Sequence, residues 1–312
     1  MGIEAIILKK AKRLLGDESL SVSHLHGGNS LSKNFFLRSG YGKCYIAKLE
    51  SKKHTLSRFE LKKEIYSYGA AIAKPIVEFD LDHEESFCTI SEWVDGYTLD
   101  KCIVFGQYSV FSLAKSVCIA ISSMHNCYSE MVLRQHLSQE ISSYIYSIKK
   151  YGIIFPHMDD YLKVIKKIYL PSNELRGCVH MDFHTKNVVI NTTGRALLID
   201  CENMMITEPW RDFVYAVVFH DEYENLFWFS VLLKYFNYSI PAEFWKNMKF
   251  YAVIQLFRMI ICEYQKENYC AIKRISESLF HTYNDWEDCV PRWVEKYLLR
   301  ADQIAERLSK EG

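Results

Sequence analysis

The pattern of apolar and polar positions changes character near residue 95. In segment 19–28, Leu20, Val22, His24 and His26 alternate with Ser19, Ser21, Ser23 and Leu25, a period of two that predicts a strand. KNFFLRSGYGKCYIAKLE (33–50) reads as two short strands about the turn Ser39-Gly40-Tyr41-Gly42. Leu56, Phe59, Lys63 and Tyr66 carry helical spacing through 56–71. IAKPIVEFD and SFCTISEWV (86–94) return to strand character, and Asp95-Gly96 is a strong turn signal. After that turn helices dominate. In 108–126, Phe111, Ala114, Val117, Cys118, Ala120 and Ile121 recur at helical intervals, and HLSQEISSYIYSIKKYG repeats the style. A β-like island at 178–203 interrupts, and from Pro209 the chain reads as helical again. At the start, Ile3, Ile7, Ala11, Leu14 and Leu15 predict an amphipathic helix packed on its own domain.

Composition narrows this layout. The chain has 312 residues, about two domains' worth. Hydrophobic residues are 49%, which is ample for packed cores and wrong for disorder. Few glycines and prolines favour long helices over a many-turned β-sandwich. Lys+Arg and Asp+Glu are equal at 38, which argues against a nucleic-acid partner. No apolar run is long enough for a membrane span. The first twenty residues lack the order of a signal peptide and the Ser or Thr that myristoylation wants, since Ile6 stands there. The ten cysteines form no CxxC and read as reduced, mostly buried thiols of a cytoplasmic protein.

The island carries the candidate chemistry. Val188–Ile190 and Ala196–Ile199 form a hairpin about Asn191-Thr192-Thr193-Gly194. Asn187 precedes the first strand and Asp200 follows the second, so the two stand side by side at one end. An amide oxygen and a carboxylate there suit magnesium. Asp182 lies five residues before Asn187, placed to orient a hydroxyl and accept its proton. Upstream, Lys48 shares a strand face with Cys44 and Ile46, and a lysine on an apolar face needs a partner.

His180-x-Asp182-x-x-x-x-Asn187, the hairpin, and Ile199-Asp200 together resemble the signature of the aminoglycoside phosphotransferase and choline kinase family. Glu208-Pro209-Trp210-Arg211-Asp212 extends the resemblance, with Asp212 as its structural aspartate; Cys201 stands where an aromatic residue is common. The resemblance covers most of the chain and is densest over 178–214. It implies an α+β, bilobal, protein-kinase-like fold. Residues 1–94 would be a β-rich N-lobe with one helix, residues 91–96 a hinge, and residues 95–312 a mostly helical C-lobe. It implies transfer of the γ-phosphate of ATP or GTP, with Mg2+, to a hydroxyl of a small molecule. Asp182 would be catalytic, and Asn187 and Asp200 would hold the metal. Lys48, paired with Glu60 on the following helix, would grip the α- and β-phosphates; Glu64, one turn on, competes for that pairing. Gly27-Gly28-Asn29-Ser30-Leu31-Ser32 resembles a reduced phosphate loop, with Gly28, Ser30 and Ser32 at the phosphates. The Glu92 carbonyl and the Val94 N–H would bond the base.

Plainer readings compete. Gly27-Gly28 by itself is a hairpin turn, and most lysines are merely solvated. His180-x-Asp182-x-His184 could be a metal site, but it lacks a third ligand, so His180 reads as a structural residue holding the loop. Asp200-Cys201-Glu202 in place of D-F-G argues against a protein kinase. A non-catalytic nucleotide-binding scaffold is the other alternative, and the presence of every expected residue type argues against it. An aminoglycoside-type or other antibiotic acceptor leads, followed by choline, ethanolamine, thiamine or a sugar. Trp210, Trp228, Trp245, Trp286 and Trp293 could cage a quaternary ammonium, although core packing is the simpler reading. Residues 101–200 carry a net charge of +4 and residues 201–312 a net −4. The acidic last third, with Asp285, Glu287 and Asp288, leaves room for a cationic acceptor, and a solvated acidic face explains it equally well. The expected assembly is a monomer or homodimer.

Overall fold

The computed structural model describes residues 2–25, 33–51, 55–81, 86–127, 137–167, 176–283 and 289–310. Helix α1 (Ile3–Leu15) buries Ile7 and Ala11 and ends at Gly16, whose φ of 65° is the left-handed cap that glycine supplies. Leu14 departs from expectation: it is 43% exposed, and Leu15 makes the contact with the core instead.

Five strands follow: β1 (Ser21–Leu25), β2 (Asn34–Arg38), β3 (Cys44–Ser51), β4 (Pro75–Asp80) and β5 (Ser86–Glu92). They form one antiparallel sheet ordered β1-β2-β3-β5-β4. Strand β3 is therefore central, and Lys48 sits opposite Asn34 on one side and Thr89 on the other. Helix α2 (Thr55–Ser67) lies between β3 and β4 in the chain. It stops short of the expected residue 71 because Gly69 adopts a φ of 89° and the Ala70 N–H turns back to the Ile65 carbonyl.

Beyond the sheet come β6 (Gly96–Thr98), α3 (Leu99–Phe105), α4 (Val110–His125), α5 (Leu137–Lys150) and α6 (Met158–Lys167). The island holds β7 (Gly177–Val179), β8 (Val188–Asn191), β9 (Ala196–Leu198) and β10 (Met205–Thr207). Helices α7 (Val214–Val218), α8 (Asn225–Tyr235), α9 (Ala242–Gln265), α10 (Tyr269–His281), α11 (Arg292–Leu298) and α12 (Ala301–Lys310) complete the chain. Among the described residues no helix is long and apolar enough to cross a membrane.

The hairpin forms as the sequence suggests, with Val188 opposite Leu198 and Ile190 opposite Ala196. Two long-range pairings were not legible. Strand β6, directly after the expected hinge, pairs with β8, and β7 pairs with β10 to close the base of the island. The other side of the hairpin is stitched to the segment before β4. The Leu198 N–H donates to the Ala71 carbonyl at 2.8 Å, and the Ala73 N–H donates to the Leu198 carbonyl at 3.0 Å.

Two apolar cores result. The smaller gathers Ile7, Ala11, Phe35, Leu37, Ala47 and Ile90 from α1 and the sheet. The larger runs through the helices and also takes Leu61 and Ile65 of α2, together with Ile72. Helix α2 thus packs its inner face against the helical part of the molecule. Trp228 and Trp245 are buried there, and Trp210 and Trp293 pack against the same core, so these four serve packing; Trp286 lies outside the described residues.

Gly96 is one position where the backbone admits only glycine. Its φ is 153°, and a Cβ there would sit 2.1 Å from the Ile190 carbonyl oxygen. Gly96→Ala must push β6 away from β8. We expect a loss of about 2–4 kcal/mol, combining strain and overpacking, read as a lower urea midpoint at unchanged slope. An unshifted midpoint would show that the close approach is not required.

Candidate active site

The site is assembled from the two ends of the hairpin and the loop before it. β7 leads into a loop in which Met181 has a φ of 65°. That unusual backbone is held by Asp212, which is 1% exposed and stands on a 3₁₀ turn (Pro209–Phe213). One Asp212 oxygen accepts the His180 N–H at 2.8 Å and the other accepts the Met181 N–H at 2.7 Å. His125, at the end of α4, bonds the same carboxylate through Nε2 at 2.9 Å and the Tyr235 hydroxyl through Nδ1 at 2.8 Å. The His180 ring, wholly buried, places Nε2 2.7 Å from the Ile199 carbonyl. His180 and Asp212 therefore both act as girders that join the loop to the end of the hairpin.

This scaffold presents Asp182, whose side chain is partly exposed. Asn187 lies five residues on, and its Nδ2 donates to the Asp182 carbonyl at 2.9 Å and to Asp182 Oδ2 at 3.1 Å. Those donors hold the carboxylate through Oδ2, and the Tyr215 side chain also interacts with Asp182. The Asn187 amide oxygen has no hydrogen-bond partner among the described residues. The Ile199 N–H donates to the Asn187 backbone carbonyl at 2.9 Å, which sets Asp200 beside Asn187. Asp200 itself is held at a φ of 64°, a conformation that aspartate tolerates better than most residues and that turns its side chain out of the strand. The resulting oxygen pair, amide and carboxylate, is the donor type that a magnesium ion takes.

Lys48 reaches this end of the hairpin from β3. It is 7% exposed and pairs with Asp200 and, at 3.1 Å, with Glu202. The expected partner is therefore corrected. Glu60 has a side chain 55% exposed and bonds Lys63 at 2.9 Å along its own helix. The reason is helical phase: Phe59, Leu61, Lys62 and Ile65 form the buried face of α2, and Glu60 points elsewhere. Glu64, the competitor, accepts from the Tyr68 hydroxyl at 3.4 Å and is no partner of Lys48 either. Sequence reasoning passed over Glu202 and Lys62. Lys62 is 7% exposed, and its Nζ lies 3.4 Å from Glu202 Oε1. Burial works to raise the Glu202 carboxyl, yet Lys62 and Lys48 outweigh it and hold it near a pKa of about 2.

A cavity of about 280 Å³ runs from this cluster to the end of β5. Lys48, Lys62, Asp200 and Glu202 line one end, and Glu92, Trp93 and Val94 line the other. Apolar walls come from Ile46, Ile72, Val189 and Ile199. This is a slot for a flat apolar group at one end and a charged group at the other. Gly28, Ser30 and Ser32 lie outside the described residues.

On the far side of Asp182 stand His184, weighed in the sequence only as a metal ligand, and Tyr215, which no sequence signal marked. His184 Nε2 lies 3.8 Å from Asp182 Oδ2, and burial pulls its pKa down. Tyr215 of α7 packs against the His184 ring, and its hydroxyl accepts from Gln255 Nε2 at 2.9 Å. Burial, and then the charge of Asp182, push the Tyr215 phenol up to about 12. Asp285, Glu287 and Asp288 lie outside the described residues.

Comparison with known proteins fits this geometry. Residues 159–240, which contain the loop and hairpin, match the model of the phosphotransferase enzyme family. That model agrees with the family the motif resembles. A comparison with curated protein sequences gives no match. Among solved structures, the GDP complex of wild-type aminoglycoside 2'-phosphotransferase-IIIa is 16% identical, with a TM-score of 0.66 over 89% of this chain and 97% of that one. A spectinomycin phosphotransferase in complex with ADP and spectinomycin is 13% identical, with a TM-score of 0.66 over 98% of both chains. A choline kinase from Streptococcus pneumoniae is 20% identical, with a TM-score of 0.62 over 89% of this chain and 98% of that one. These likenesses establish the fold: α+β and protein-kinase-like, with a β-sheet N-terminal region and a helical C-terminal region.

Proposed function

We propose that the protein is a small-molecule kinase that moves the γ-phosphoryl group of ATP or GTP to a hydroxyl of its acceptor. The observation that carries this reading is that Lys48 and Asp200 meet at the charged end of a cavity whose other end is the strand terminus at Glu92, while Asn187, bonded to Asp182, stands beside Asp200 at the same end of the hairpin. The base would lie between Ile46, Ile72 and Val189 and bond the Glu92 carbonyl and the Val94 N–H. Lys48 would meet the α- and β-phosphates. Asn187 and Asp200 would hold Mg2+, which supplies charge neutralisation at the phosphate oxygens when bound.

In the transfer, the acceptor oxygen forms a bond to the γ-phosphorus as the bridging β–γ oxygen leaves with the nucleoside diphosphate. The Asp182 carboxylate takes the acceptor's proton. Asn187 holds its Oδ2, so the base is aimed before the acceptor arrives. Positioning and electrostatics supply most of the rate in such a reaction. The division into lobes at residues 94 and 95, and a cytoplasmic setting where nucleoside triphosphates are plentiful, belong to the same reading.

For the acceptor, an aminoglycoside-type or other antibiotic comes first, since the similar structures include aminoglycoside and spectinomycin phosphotransferases. Choline, ethanolamine, thiamine and sugars follow, and a choline kinase is among the similar structures. A thermal-shift panel of these acceptors with magnesium and ATP or GTP, followed by turnover assays on those that shift the midpoint, tests the assignment. Failure of every nucleotide to bind would overturn it.

Asp200→Ala should weaken magnesium-dependent nucleotide binding at least about tenfold, because it removes the only carboxylate assigned to the metal. A calorimetric titration with unchanged affinity would remove Asp200 from that role.

A further inference from the structure

The charges around Lys48 are arranged with a polarity that the sequence did not suggest. The buried charged side chain that helix α2 turns toward the cavity is Lys62, a cation. The carboxylate comes from the 3₁₀ turn (Cys201–Asn203) directly after the hairpin. Glu202 spends one oxygen on each lysine: Oε2 on Lys48 at 3.1 Å and Oε1 on Lys62 at 3.4 Å. Both lysine side chains are less than a tenth exposed. Glu202 is also the one hydrogen-bond or ion-pair partner of Lys62 among the described residues. Glu50, two residues on from Lys48 in β3, accepts from the Thr89 hydroxyl at 2.9 Å and adds a second negative charge near Lys62, behind that of Glu202.

We propose that Lys62 is a positioning residue of the phosphate site: it pins Glu202, and Glu202 anchors Lys48 in the direction of the phosphates. This rests on the reading of the site as a phosphoryl-transfer centre. A carboxylate gripped at one oxygen can rotate about its last bond; gripped at both, it cannot. Lys48 has two carboxylate partners, Asp200 and Glu202, and Asp200 is assigned to the metal. The aim of Lys48 during binding then depends on Glu202, and the aim of Glu202 depends on Lys62. Helix α2 contributes to the phosphate site through a cation, at one remove.

The test is a set of titrations of the full chain with Mg2+–ATP and Mg2+–GTP, followed by the fluorescence of Trp93 in the cavity wall. Lys62→Met and Glu202→Gln should each weaken binding at least about fivefold, and combining them should add less than about twofold, as expected for residues acting as one unit. Lys62→Arg should stay within about twofold of the parent. Lys62→Glu placed in the Glu202→Gln background returns a carboxylate to the site from the helix and should recover most of the lost affinity. A merely structural role would not produce that recovery. Equal affinity in Lys62→Met overturns the proposal, as does a full multiplicative effect in the double variant, which would mean that Lys62 touches phosphate directly. If Lys62→Met does not fold, the Arg variant and the relocated carboxylate still decide the matter. A parent protein that binds neither nucleotide overturns the kinase reading itself, whereas binding with no dependence on Lys62 overturns this inference alone.

Discussion

Asp182→Asn is expected to lower phosphoryl transfer by about 10²–10⁴-fold while leaving the fold and nucleotide binding nearly intact. Its Oδ2 accepts from Asn187 at 3.1 Å, and an amide of the same shape can keep that contact. What it loses is the capacity of the carboxylate to take a proton from the acceptor. Binding and catalysis should therefore separate. Saturating magnesium–nucleotide should still raise the unfolding midpoint, since a ligand at 100 times its Kd stabilises by about 2.7 kcal/mol. The measurement is release of nucleoside diphosphate in the presence of the acceptor, beside a thermal shift with nucleotide alone. Turnover at the parent rate would end the assignment of Asp182 as the base.

Asp212→Ala should be the costliest single change for stability. The carboxylate lies in the interior and accepts from two consecutive backbone N–H groups and from His125. Removing it strands all three donors without water to replace the lost partner. Breaking a buried charge-bearing network costs about 3–5 kcal/mol, against a total of about 5–15 kcal/mol for a typical domain. A urea titration should show that loss. Asp212→Asn should fall between, because an amide keeps one acceptor oxygen but turns a donor toward a site that already supplies donors. The folded fraction of either variant should also lose activity, since Met181 keeps its left-handed backbone only while its N–H is held. A loss under about 1 kcal/mol in the alanine variant would mean that the loop is supported in some other way.

The local grammar of the site was readable because hairpins and turns are short-range. Asn187 and Asp200 are set side by side by a ladder of a few residues, which the alternation of Val188–Ile190 and Ala196–Leu198 already specifies. Asp212 was legible through spacing. The partner of Lys48 was not, because choosing it requires the rotational phase of α2 relative to a sheet and a second core. Helical spacing alone leaves Glu60, Glu64 and Lys62 on offer, and packing of Leu61 and Ile65 into the larger core decides which of them faces inward. The pairing of β6 with β8 was hidden for a similar reason: three residues carry too little pattern to announce a strand. Tyr215, which accepts from Gln255, sits on a helix whose apolar periodicity masks any sign that it approaches Asp182.

The stitching of β9 to Ala71 and Ala73 has a mechanical meaning. The hairpin is bonded on one flank to β6 and on the other to the segment entering β4. The cavity floor is therefore clamped from both sides. A wide swing pivoting at residue 94 would tear the Leu198 bonds before the slot had opened far. Nucleotide entry should then proceed by small adjustments at the rim, and the amides of Ala73 and Leu198 should exchange with deuterium as slowly as the centre of the sheet, with or without nucleotide.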